Sequence, residues 1–146
     1  LAVIQSLHPI RYAADVGKQV PIHLTASGQA IMSQMTKAQI ETILNKATFT
    51  RYGAGTPMTV KAVKDSISQA LARGWFSSAS AYSPDLGGVS VPLRYDNLLY
   101  SVSVAGPLFR VQDHMPNTAF EIHQAIAQHF GGDFIAETMP NLQLLK

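Results

Sequence analysis

The chain has no cysteine, which excludes disulfide scaffolding and thiolate metal sites and leaves the redox compartment unmarked. Charge is sparse as well. Charged residues make up 14% of 146, and the eleven Lys and Arg are scattered, for a formal net charge of +2. A DNA-binding face concentrates basic side chains on one surface or along one helix. No such cluster and no helix-turn-helix pattern is found, so this chain by itself is not expected to bind DNA strongly. Long apolar runs are missing too. Leu98 to Ala105 is short and broken by serines, against the roughly 20 apolar residues needed to span a bilayer. No basic stretch leading into an apolar run marks a secretory signal. The expected compartment is the cytoplasm, with no membrane partner.

The usual catalytic constellations are also lacking: no nucleophile elbow, no phosphate-cradling loop and no paired carboxylates. Arg51 to Thr56 contains glycines, but follows no strand and lacks the phosphate-loop lysine. Asp65, Asp85, Asp96 and Asp113 fall at helix or turn positions. His123 and His129 are six apart on one helix, off the i, i+4 geometry of a chelate, and His8, His23 and His114 lie in separate elements. Neither an enzyme, a metal site nor a cofactor is expected.

What remains is a chain that is 47% apolar, enough for one domain with a substantial core. Leu1 to Leu7 and Ile10 to Val16 read as strands separated by His8-Pro9, because proline lacks the donor that a ladder needs. From Thr25 the period turns helical through Ala26, Ala30, Ile31 and Met35. Thr36 with Gln39 is a capping-box pattern for a second helix. Phe49 to Pro57 is punctuated as a loop. Thr59 opens a longer helix with Gly74 past its end.

Trp75 to Tyr82 is strand-like, and Ser83-Pro84-Asp85 has turn chemistry. Val89 to Tyr95 and Leu98 to Ala105 flank Asp96-Asn97, a two-residue hairpin signal. Pro116 to Phe130 closes the pattern as a helix stopped by Gly131-Gly132. The tail beyond Met139-Pro140 is expected to order only at an interface. Hairpin-paired strands around a helical block predict an α+β fold with a mainly antiparallel sheet and helices packed on it.

Two segments carry a family resemblance. Pro21-Ile22-His23-Leu24-Thr25-Ala26-Ser27-Gly28-Gln29-Ala30 resembles the motif P-L-H-x-T-A-x-G-K-A, and Ser101-Val102-Ser103-Val104-Ala105-Gly106-Pro107 resembles the S-V-S-G-P strand. Both belong to the C-terminal effector-binding domain of IclR-type transcriptional regulators, and their order and spacing extend the likeness over nearly the whole chain. The resemblance implies a GAF-like or profilin-like fold with helices on one side of the sheet and a pocket on the other. It implies that residues 1–146 are an effector domain, without the N-terminal winged helix-turn-helix domain that such regulators carry. The implied function is sensing of a small organic acid. The implied partners are further copies of the chain, in a dimer or tetramer, and DNA only through the absent domain. The rival expectation is a GAF-like interaction module with no small ligand.

Site residues follow from the same resemblance. The start of the Thr25 helix, with Thr25, Ala26 and Ser27, lines the effector pocket in these regulators. A helix start offers unpartnered N–H groups and partial positive charge, which suits a carboxylate. Read locally, Thr25 is an ordinary N-cap that satisfies its own helix. Ser103 matches the first serine of the family's pair, and Ala105 replaces the second. Losing that donor shifts the expected ligand from a short oxoacid toward a larger or aromatic carboxylate. The alternative is that Ser101, Ser103 and Ala105 are simply the small face of a strand under a helix.

Leu86 and Gly88 fall where relatives touch ligand. Ser78 and Ser80 stand where a polar or acidic side chain is common, and the loss of acidic groups there suits an anion. Arg11 matches an arginine of the second strand, where it either pairs with a carboxylate or faces solvent. Tyr12 would then point to the opposite side, so one of the two faces the pocket.

Overall fold

The computed structural model describes residues 2–131. Three threonines open the helices that the sequence marks for them. Thr25 Oγ1 accepts a hydrogen bond from the Gly28 N–H at 3.0 Å and starts helix α1 (Ala26–Met32). Thr36 and Gln39 form the reciprocal capping box of α2 (Lys37–Lys46). Thr59 caps α3 (Val60–Arg73), which ends on Gly74 at φ 87°, a left-handed position where a side chain would be strained. Each threonine satisfies a first-turn N–H that would otherwise lack a partner.

Three strands form one antiparallel sheet in sequence order: β1 (Phe76–Ala79), β2 (Leu86–Tyr95) and β3 (Leu98–Pro107). Asp96 and Asn97 make the β2–β3 turn with φ of 49° and 59°. Two consecutive left-handed residues are what a type I′ hairpin requires, and Asp and Asn tolerate them. After β3 come two short helical turns, α4 (Leu108–Val111) and a 3-10 turn (Gln112–His114), and then α5 (Met115–Phe130). Neither short turn was expected from the sequence.

The helices lie on both faces of the sheet, which corrects the expectation of helices on one side only. A Cβ added at Gly88 would lie 4.0 Å from Ala26 Cβ, so α1 covers the face to which even-numbered β2 residues point. A Cβ added at Gly87, on the opposite face, would lie 3.2 Å from Leu108 and Val111, so α4 covers that side. There α5 also packs, burying Met115, Ala119, Ile122 and Ile126 at helical spacing. Between the layers Phe76, Val89 and Val91 are buried in one contiguous core with Ala30, Met32, Leu44 and Val63.

The two N-terminal strands do not form. Residues 2–20 carry no strand or helix, and Ile4 and Leu7 are 98% and 100% exposed. An alternating apolar pattern becomes a strand only where a neighbouring backbone completes its hydrogen bonds, and no described strand pairs with this segment. It is tied down instead at single points, such as the bond from the Arg110 guanidinium to the Ile10 carbonyl at 2.8 Å. The segment after Met139-Pro140 lies outside the described residues.

Candidate functional site

Cross-strand register brings the candidate residues into rows. Ser78 pairs with Gly88, and Gly88 with Ala105, so the three share one face of the sheet. One row along, Phe76 pairs with Ser90, and Ser90 with Ser103. Leu86 lies on the same face at the other end, opposite Pro107. This is the face that Ala26 of α1 approaches. A Cβ at Gly88 would also lie 3.3 Å from Ser78 Oγ, so the glycine lets Ser78 and Ala26 pack closely over this part of the sheet. Thus Ala26, Ser78, Gly88 and Ala105 converge, with Ser103 one row away.

Thr25 and Ser27 stand at the head of α1, half-buried, with their hydroxyls 3.2 Å apart. Thr25 spends its oxygen on the Gly28 N–H, so the ordinary N-cap is the role the structure shows for it. The helix is seven residues long, which limits any dipole contribution. Ser103 and Ala105 are exposed on β3, which has no outer neighbour among the described strands. Arg11 is exposed and reaches the His8 carbonyl of its own segment at 3.4 Å, while Tyr12 is half-buried. Because the second strand is absent, strand alternation does not choose between them.

A cavity of about 250 Å3 opens beside this face, between α1, α3 and β1. It meets the predicted set at Ser78. Its wall is mixed, with Leu24, Pro57 and Ala62 against Gln29, Ser66 and Ser77. Gln29 is 5% exposed and fully engaged: its amide donates to the His23 carbonyl at 3.0 Å and its oxygen accepts from Ser66 at 2.8 Å. Another part of the wall is held by Thr56, whose buried hydroxyl donates to the Ala81 carbonyl at 2.7 Å and accepts from the Tyr52 and Gly53 N–H groups. That clamp presses the 52–56 loop against the end of β1.

Sequence reasoning missed Gln29, Thr56 and Ser90 as parts of this region. Ser90 had a usable signal. In β2 the residues 86, 88, 90 and 92 share the α1 face, so the one serine among them lies in line with Gly88. Gln29 and Thr56 had none, since the bonds that tie them across this region, from Ser66 and to the Ala81 carbonyl, join residues 37 and 25 apart.

His23, just ahead of α1, and His123 on α5 are the titratable groups whose burial matters here. Burial pushes the His23 imidazole below its ordinary pKa, against a smaller opposing effect from the Thr48 backbone. Its ring sits 5.0 Å from that of Phe49, and its Nε2 is buried without a partner. Burial likewise lowers His123, although its Nε2 bonds the Gly74 carbonyl at 2.9 Å. A carbonyl only accepts, so that nitrogen carries the proton of a neutral ring, and Nδ1 is left unpaired.

Both rings take up protons less readily folded than unfolded. Stability is therefore fully present above the unfolded value, about 6.5, and falls as pH drops from there through the lowered folded values. Melting temperature should decline between pH 7 and pH 5, and His123→Gln should flatten the decline. An unchanged slope in that variant would remove His123 from the account. Glu41, exposed and held low by Lys64, acts only in more acid solution.

Among the described residues no helix is long and apolar enough to cross a membrane, and no group of three or more His, Asp or Glu could hold a metal ion. The arrangement has a class. Structures that superpose on it are effector domains and whole chains of bacterial transcriptional regulators. One, the effector domain of an IclR-designated regulator from Acinetobacter sp. ADP1, gives a TM-score of 0.70 at 17% identity, covering 98% of this chain and 77% of that one. Another, an IclR homolog from Microbacterium hydrocarbonoxydans complexed with 4-hydroxybenzoate, gives 0.68 at 20% identity, covering 91% and 50%.

Residues 2–130 match the family described as bacterial transcriptional regulator IclR, C-terminal, and the chain belongs to that family. The transcriptional repressor IclR of Escherichia coli K12 is 21% identical over 112 residues, which are 75% of this chain and 41% of the repressor. The chain thus spans well under half the length of that relative. The family is one of bacterial transcriptional regulators.

Proposed function

We propose that this chain is the ligand-sensing domain of an IclR-type regulator and that it takes a small organic acid on the α1 face of the sheet. The observation that carries this reading is the convergence of Ala26, Ser78 and Ala105 around Gly88, next to the cavity that Ser78 lines. No acidic side chain belongs to that group, so an anion meets no like charge there. The carboxylate sits against Ser103 and the Ser27 end of α1, and Leu86 flanks the body of the ligand. The adjoining cavity at Ser78 gives room for a ring rather than a two-carbon acid. Arg11 or Tyr12 completes the site only if the N-terminal segment folds over it.

Binding acts as a population shift, favouring one placement of subunits over another. In the full regulator that placement sets the spacing of two DNA-reading domains and hence operator affinity. The chain pairs as a dimer or tetramer in the cytoplasm, and α5, where Phe120 is 62% exposed, is a candidate interface.

A thermal-shift screen of the chain against carboxylates tests the reading, from short oxoacids to aromatic acids including 4-hydroxybenzoate. A ligand that binds only the native state stabilises by about 2.7 kcal/mol at a hundredfold excess over its Kd. A saturable rise for one chemical class, strongest among the aromatic acids, is the expected result. No rise across the panel would transfer the assignment to an interaction module without a small ligand.

A further inference from the structure

Ser90 is the one polar side chain of β2 that is almost completely buried, at 1% exposure, and its hydroxyl lies 2.7 Å from that of Ser103. Ser103, by contrast, is exposed. A lone exposed serine hydroxyl rotates freely and presents donor or acceptor as water allows. Here the buried partner removes that freedom. A serine hydroxyl holds one proton and two lone pairs. Among the described residues Ser90 has no other hydrogen-bond partner for its hydroxyl, and a buried donor without an acceptor costs more than an unused lone pair. Ser90 therefore gives its proton to Ser103 Oγ. The Ser103 proton is left pointing away from the sheet interior, its other neighbour being Ser101 Oγ at a long 3.4 Å.

We infer that Ser90 is a positioning residue that fixes Ser103 as a hydrogen-bond donor, so that the site favours the charged acceptor oxygen of a carboxylate over the neutral acceptor of the corresponding amide. This deepens the proposed function and rests on it. The hydroxyl that a strand position such as Ala105 does not supply comes instead from the next row, beneath the exposed one. The donated proton also polarises Ser103, which strengthens the bond that Ser103 makes to an anion.

The test uses matched probes on the 146-residue chain: benzoate with benzamide, and 4-hydroxybenzoate with 4-hydroxybenzamide. Wild type should bind the acids more tightly than the amides. Ser90→Ala should weaken acid binding by about tenfold, as the bond from Ser103 to a charged oxygen loses its fixed and polarised donor, and weaken the amides, whose neutral carbonyl accepts the same bond less strongly, by about threefold or less. Ser90→Thr, which keeps the hydroxyl, should restore the preference. In a Ser103→Ala background, Ser90→Ala should have no further effect, because it acts only through Ser103. An acid-to-amide ratio in Ser90→Ala equal to that of wild type overturns this inference and leaves the sensing function standing. Wild-type chain that binds none of the four probes counts against the proposed site itself, and the inference falls with it.

Discussion

Gly28→Ala will destabilise the domain by about 4 kcal/mol, the upper end of what a single methyl can do. Helix propensity alone points the other way: alanine inside a helix is favoured over glycine by about 1 kcal/mol. The local contact decides. A Cβ at Gly28 would lie 2.0 Å from the Ile22 carbonyl oxygen, 2.7 Å from its carbon and 2.8 Å from its Cα. All three atoms are backbone, so no rotamer change relieves them.

Either the 21–24 turn or the first turn of α1 would have to move. Both are anchored: Leu24 is 1% exposed, Ala30 is fully buried, and the Gln29 amide spans the gap to the His23 carbonyl. Urea unfolding of the variant beside wild type measures the cost, and the melting temperature should fall by roughly 10 °C for a chain of this size. A loss below about 1 kcal/mol would mean that the turn yields easily and that Gly28 is dispensable.

The same residue shows what the sequence reveals and what it hides. Gly28 stands out as part of a motif, but its reason, the return of the Ile22 carbonyl against α1 through the 21–24 turn, is a geometry that no helical or strand period encodes. Local chemistry was legible. Thr25, Thr36 and Thr59 open helices because their oxygens reach N–H groups three residues on, and Asp96-Asn97 turns the hairpin because both tolerate a left-handed backbone. The α+β class followed from those pieces. Non-local facts were not legible. The Ile10 to Val16 segment alternates like a strand yet stays unpaired, since pairing depends on a neighbour rather than on the segment. α4 is a single turn, too short for a periodic signal. That α1 and α5 take opposite faces of the sheet follows from chain routing, not composition.

For the site, the two motifs singled out Ala26 and Ser103, and the register sets Gly88, Ser78 and Ala105 on one face of the sheet. Thr25 turned out to be spent on its own helix. Ser90 was passed over because a serine between two valines looks like strand filler until its partner across the sheet is known.

Ser103→Leu should lower affinity for the cognate acid by at least about a hundredfold while leaving the fold intact. Two effects add. The substitution removes the hydroxyl that meets the carboxylate, a loss of about 1.5–3 kcal/mol for a bond to a charged group. It also puts an isobutyl group into the space that the carboxylate occupies, so binding must displace it or fail. Stability should fall by no more than about 3 kcal/mol, which leaves a domain of ordinary stability folded. Ser103 is exposed, so the new side chain meets water rather than a packed core, and leucine is tolerated on a strand surface. The cost on folding is the Ser90 hydroxyl, which loses its partner at 2.7 Å and is left buried, about 1–3 kcal/mol. Isothermal titration with the acid that the thermal screen identifies, together with urea unfolding, separates the two. Abolished binding in a chain that still unfolds cooperatively supports the placement of the carboxylate. Wild-type affinity in Ser103→Leu would move the ligand off this strand, toward the cavity between α1, α3 and β1, and would leave Ser78 as the residue to substitute next.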